Sequence, residues 1–222
     1  MQSKFFNHQG ASLHYQIGGK ETAPVMVLLH GGFGSISDFE SLLPCLLQNY
    51  RVIAVDTRGH GRSTLGTASL TYAQAADDVR QILRSESVEN YSLFGFSDGG
   101  ITAYRLGAED ENVEKIITVG AEWHQKHLSG VREIFEAVNL DFVKKNLSGQ
   151  LAAYQADNPE PDVEKWAAAL RTMWLDESES GYPNESVREI TANVLAIRGE
   201  ADFLLAFDDW AELKTELPDV HL

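Results

Sequence analysis

Cysteine is almost absent. Of 222 residues only Cys45 carries a thiol, so no disulfide can form within the chain. It sits in the apolar run Leu42-Leu43-Pro44-Cys45-Leu46-Leu47, where the pattern predicts a buried small hydrophobe rather than a nucleophile. Basic side chains are also scarce, 18 Lys and Arg against 33 Asp and Glu, for a formal charge of -15. A surface of that sign repels a phosphate backbone and an anionic membrane, so neither nucleic acid nor a membrane is an expected partner. Long apolar runs are missing as well. None approaches the length that spans a bilayer, and Met1-Gln2-Ser3-Lys4-Phe5-Phe6-Asn7-His8 does not form a basic-then-apolar leader. Together these absences predict a cytoplasmic protein. No repeat or low-complexity tract appears, and the length suits one domain with a sizeable core and an insertion.

What the chain has is alternation. Apolar runs at Val25 to Leu29, Arg51 to Val55, from Tyr91, Val113 to Val119 and Val194 to Ile197 read as strands. Helical stretches separate the first four: Asp38 to Leu47, Thr71 to Arg84 with Tyr72, Ala76, Val79 and Leu83 on one face, and Ser97 to about Leu106. This predicts an α/β protein, a mostly parallel sheet with helices on both faces. The strands' C-terminal ends then share one edge, where open α/β sheets bind ligands. Phe5, Leu13, Tyr15 and Ile17, with turn glycine Gly10 before and Gly18-Gly19 after, predict an opening hairpin.

The alternation breaks between Ala121 and Ile190. Only helical patterns occur there: Ser129 to Val138, Leu140 to Asn146, Gln150 to Gln155 and Pro161 to Leu175. The last carries Val163, Trp166, Leu170, Met173 and Trp174 on or near one stripe, the mark of a packed face. Gly181-Tyr182-Pro183-Asn184 reads as the hinge back. The expected organisation is a core of residues 1–120 and 191–222 with a helical insertion at 121–190.

Gly95-Phe96-Ser97-Asp98-Gly99 joins a strand to a helix. A serine hydroxyl becomes a useful nucleophile when a sharp turn presents it beside amide donors, and a strained strand-to-helix turn does this. Side chains at 95 and 99 would collide with neighbouring backbone. Three further loops follow apolar runs: His30-Gly31-Gly32-Phe33-Gly34-Ser35, Asp56-Thr57-Arg58-Gly59-His60-Gly61-Arg62-Ser63, and Gly199-Glu200-Ala201-Asp202. In this order, over nearly the whole chain, they resemble the α/β-hydrolase fold family.

That resemblance implies the roles. Ser97 is the expected nucleophile, and the N–H groups of Asp98 and of Gly32 or Phe33 the expected oxyanion hole. Asp202 is the expected acid that orients a histidine, with Glu122 the runner-up. His30 is expected to brace its loop, and Asp56, Arg58 and His60 to stabilise theirs. Trp123, Trp166 and Trp174, in or entering the insertion, are expected near the substrate, since in the family that insertion is a helical cap. The family's histidine lies on a loop after the eighth strand. Here Leu217 to Leu222 resembles the start of that strand, which puts His221 too early. The expectation is therefore a chain without the family's final strand, histidine loop and helix, and with an uncovered sheet edge. His221, His124 and His127 are the remaining candidates for the base.

The implied activity is hydrolysis of a small ester or related acyl compound through an acyl-enzyme, with no metal or cofactor. Carbon–carbon bond hydrolysis and perhydrolysis are neighbouring chemistries. Cleavage after an N-terminal proline is disfavoured because the Gly31 to Gly34 loop lacks the proline such enzymes usually show. Dehalogenase and epoxide hydrolase activity need a carboxylate where Ser97 stands. The rival from another class is a ligand-binding or interaction module on the same fold.

Overall fold

The computed structural model describes residues 1–222. A hairpin opens the chain, β1 (Gln2–His8) and β2 (Ala11–Gly18), turning at Gln9 and Gly10. Then follow β3 (Val25–Leu29), α1 (Leu43–Asn49), β4 (Arg51–Val55), α2 (Tyr72–Ser85), β5 (Tyr91–Phe96), α3 (Asp98–Glu109) and β6 (Val113–Val119). Helices alone fill the excursion that follows: α4 (Arg132–Glu136), α5 (Leu140–Asn146), α6 (Ser148–Asp157) and α7 (Val163–Trp174), with short 3-10 segments at Gln125–Gly130 and Asn184–Glu189. The chain returns through β7 (Asn193–Ile197) to α8 (Phe207–Glu216).

The seven strands form one sheet in the order β1-β2-β4-β3-β5-β6-β7. The hairpin strands pair antiparallel, and every pairing from β4 to β7 is parallel. Register aligns Val27 with Ile53 and Leu93, Leu93 with Ile116, and Ile116 with Val194. This row is almost wholly buried and joins the main core with α2, α3, α7 and Leu213 of α8. Each such side chain contributes about 1.5–3 kcal/mol of burial.

The opposite face is unequal. At β3 and β4, Met26, Leu28, Val52 and Ala54 pack under Ile36, Phe39 and the leucines of α1. Phe94 of β5 still packs against Phe39, but beyond it no helix covers this face, leaving Phe96, Leu195 and Ile197 at 48%, 39% and 41% exposure. The expected coverage on both faces is thus complete on one side only. At the β7 edge, His221 donates its N–H to Val194 O (2.9 Å) and accepts from Ala196 N–H (2.8 Å), a single parallel bridge.

Two local expectations need correction. The helix expected from Asp38 to Leu47 is a 3-10 turn at Ile36–Phe39 followed by α1. Pro44 is the reason, because it has no N–H to donate and is tolerated only in a first turn, where it now lies. Cys45 is exposed rather than buried. Leu43, Leu46 and Leu47 take the inward positions of this short helix, and the thiol faces out.

Candidate active site

Ser97 stands between β5 and α3 at φ 50°, ψ -119°, a left-handed conformation that a side chain adopts only under constraint. The constraint is visible. Its N–H donates to Val119 O on the neighbouring strand (2.9 Å), and its carbonyl accepts from Gly100 (2.8 Å) and Ile101 (3.0 Å). Its hydroxyl makes no capping bond to α3 and lines a cavity of about 40 Å³. Leu128, Val131, Phe135, Trp174 and Leu205 give that cavity apolar walls, and Glu122 lies on its rim.

The His30 loop runs beside this turn. A Cβ on Gly31 would lie 3.1 Å from Ser97 Cβ, and one on Gly32 would lie 2.6 Å from Asp98 Oδ2. Side chains are therefore excluded where the two loops meet. Phe33, at φ 61°, is buried edge-on to Trp166 and Trp174. His30 ties this loop to the next one: Nδ1–H donates to Gly31 O (2.8 Å) and Nε2 accepts from Thr57 N–H (3.0 Å). Both ring nitrogens are occupied.

Below the site, Asp56 organises three segments. It accepts from His14 Nδ1 (2.7 Å), Ile36 N–H (2.8 Å) and Arg62 N–H (2.9 Å). Burial alone would push its pKa up, but these donors hold it below the ordinary carboxylate range. Arg58, fully buried, forms a two-pronged ion pair with Asp78, both bonds 2.7 Å.

Asp202 lies at the same rim. Its Oδ1 accepts from the N–H groups of Leu204 (3.0 Å) and Leu205 (3.1 Å), and its Oδ2 packs against Gly120, which lines the Ser97 cavity. Arg198 fixes this loop by donating to the carbonyls of Leu205 (2.7 Å), Gly199 (2.8 Å) and Asp202 (2.8 Å). Glu122 accepts from Trp123 N–H (2.8 Å) and from His127 Nδ1 (2.7 Å).

No histidine lines the cavity. His127 is held at both nitrogens, by Glu122 and by Glu212 (3.0 Å). Its burial opposes protonation, yet Glu122, Glu212 and Asp209 raise its pKa above the ordinary value. Glu122, His127 and Asp209 also have ligand atoms within 4.8 Å of one another, but these groups already satisfy each other as ion pairs. His124 accepts from Lys126 N–H (3.0 Å) and meets Glu185 (3.1 Å). His60 is buried with Nδ1 donating to Arg58 O (3.1 Å) and Nε2 unpartnered.

Of the three tryptophans grouped by the sequence, the structure brings Trp174 to the Ser97 cavity. Trp123 is packed in the core with its indole N–H on Asp209 O (3.1 Å). Trp166 stacks on Tyr154 at 4.0 Å and lines neighbouring cavities. Sequence reasoning missed the Asp98 carboxylate, which accepts from the Trp174 indole N–H (2.8 and 2.9 Å) and from Tyr72 O–H (2.9 Å). It also missed Arg198. A periodicity reading treats Tyr72 and Trp174 as apolar stripe members, and nothing in their spacing marks a shared acceptor.

Comparison with known proteins agrees with this fold. Residues 24–172 match the sequence model of the alpha/beta hydrolase fold. The 3-oxoadipate enol-lactonase 1 of Acinetobacter baylyi is 27% identical over 91% of this chain and 80% of its own length. A proline iminopeptidase of Pestalotiopsis fici is 42% identical over 60% of this chain, which spans 49% of that protein. Among solved structures, a Nitrososphaera gargenis protein from a study of carboxylesterases superposes with TM-score 0.76 at 23% identity, covering 99% of this chain and 88% of that one. No helix is long and apolar enough to cross a membrane. The chain belongs to the alpha/beta hydrolase fold family.

Proposed function

We propose that this protein is a serine hydrolase acting on a small ester or related acyl compound. Ser97 Oγ attacks the carbonyl carbon, and the N–H groups of Asp98 and of Gly32 or Phe33 receive the oxyanion. Collapse breaks the ester C–O bond, the alcohol leaves with the proton given up by Ser97 Oγ, and water then cleaves the acyl-enzyme, returning a proton to Oγ and releasing the acid. Asp202 serves as the orienting acid, with Glu122 the alternative, and residues 121–190 form the cap over the site. The chemistry requires no metal or cofactor. The observation that carries the reading is the strained, uncapped Ser97 facing an apolar cavity. The charge of -15 argues against nucleic acid as a partner, and the single cysteine suits a cytoplasmic location. The relative named as an enol-lactonase, aligned over 91% of this chain, supports an ester or lactone.

One observation favours a second reading. No histidine faces Ser97, which suits a ligand-binding module without turnover on the same fold. A panel of p-nitrophenyl esters of varied acyl length separates the two. Turnover that disappears in Ser97→Ala supports the hydrolase; saturable ester binding without turnover supports the binding module.

A further inference from the structure

Asp98 follows the nucleophile, yet its side chain has no part in the reaction proposed above. It folds beneath the helical excursion, where the Trp174 indole N–H bridges both carboxylate oxygens (2.9 and 2.8 Å) and Tyr72 O–H meets Oδ1 (2.9 Å). Gly32 lies against the same pair. A Cβ there would stand 2.6 Å from Asp98 Oδ2 and 2.6 Å from Trp174 Cζ2. Three segments distant in sequence thus converge on one carboxylate: the His30 loop, the start of α3 and the end of α7. Trp174 is also a wall of the Ser97 cavity, whose volume is about 40 Å³. On that measure one water takes roughly 10–15 Å³, so the space beside Ser97 holds only a few waters, and Trp174, pinned by Asp98, bounds the acyl group that enters it.

We propose that the Asp98 carboxylate is a positioning group that couples the seat of Trp174 to the oxyanion loop at Gly32, and that this coupling makes the site selective for short acyl chains. The proposal rests on the reading of Ser97 as the nucleophile. A longer chain has to push Trp174 aside, which stretches its bond to Asp98 and loosens the packing that holds Gly32. Binding a long acyl group therefore works against the geometry that stabilises its oxyanion. Stretching a bond to a buried acceptor leaves a polar group unpaired away from water, a loss large enough to register in rates.

Two measurements test it, on the unaltered chain, Asp98→Asn, Trp174→Phe and the double variant. The first is hydrogen exchange, which does not require Ser97 to react. Each single variant is expected to speed exchange both in α7 and at Gly34, whose amide bonds to Gly31 O, and the double variant to add little more. Acceleration confined to residues 98–102, or effects that simply add, would overturn the coupling. The second is the ratio of kcat/KM for p-nitrophenyl acetate and octanoate. The unaltered chain is expected to prefer acetate, and each single variant to shift the ratio about tenfold toward octanoate. Equal losses on both esters would mean a merely structural role. Hydrolysis of neither ester by the unaltered chain overturns acyl selection together with the hydrolase reading, while exchange still decides the coupling.

Discussion

Gly99, at the start of α3, lies against the carbonyl groups of Leu29 and His30 so closely that a methyl group on its Cα would overlap Leu29 O and stand 2.7 Å from His30 O. Both contacts are with backbone at the end of the central strand β3, so neither can swing aside. Gly99→Ala is expected to destabilise the fold by about 3 kcal/mol, as overpacking against rigid neighbours does, and to displace Ser97. Urea unfolding measures the first effect; a midpoint equal to that of the unaltered protein would show that β3 and α3 do not meet this way.

The Arg58–Asp78 pair offers a sharper test of the loop after β4. Both groups are almost wholly removed from water, and the bidentate geometry satisfies charge and hydrogen bonding together. Asp78→Asn leaves a buried guanidinium without its counter-charge, which costs about 3–5 kcal/mol. Chemical denaturation should record it, and a loss below about 1 kcal/mol would place the pair in solvent.

His60 predicts an acid sensitivity. Burial lowers its pKa from 6.5 to about 3. The unfolded chain therefore binds a proton that the folded one refuses, and stability falls as pH drops below 6.5. The slope is about 1.4 kcal/mol per pH unit, or roughly 2 kcal/mol by pH 5. His60→Gln should remove that slope relative to the unaltered protein. Parallel stability curves from pH 7 to 5 would contradict the burial of a neutral ring.

His127 predicts the opposite sign. Burial works against its charge, but Glu122, Glu212 and Asp209 outweigh it and raise its pKa. Its contribution is fully present below pH 6.5 and fades as pH rises through the raised value. The deficit of His127→Gln against the unaltered chain should be larger at pH 6 than at pH 9, by calorimetry. A deficit that grows with pH would mean that the ring is held neutral.

The strands at Val25, Arg51 and Val113 were legible to the residue because each is a short apolar run bounded by turn residues. The Ser97 turn was legible because its glycines are demanded by contacts with backbone, which a sequence pattern can encode. The interruption at Pro44 was equally available from covalent chemistry, and an apolar count of residues 42–47 concealed it. The Asp98 carboxylate, Arg198 and the inward turn of Trp123 were not legible. Their partners lie on other elements, so no period or spacing records the contact. The bare face at Phe96, Leu195 and Ile197 was also beyond a strand pattern, which shows that a face is apolar and not what covers it.

Reaction of the protein with an alkyl fluorophosphonate, followed by peptide mass spectrometry, tests the central claim most directly. The account predicts one adduct, on Ser97, absent in Ser97→Ala. An intact protein left unlabelled, or an adduct on any other residue, would contradict it.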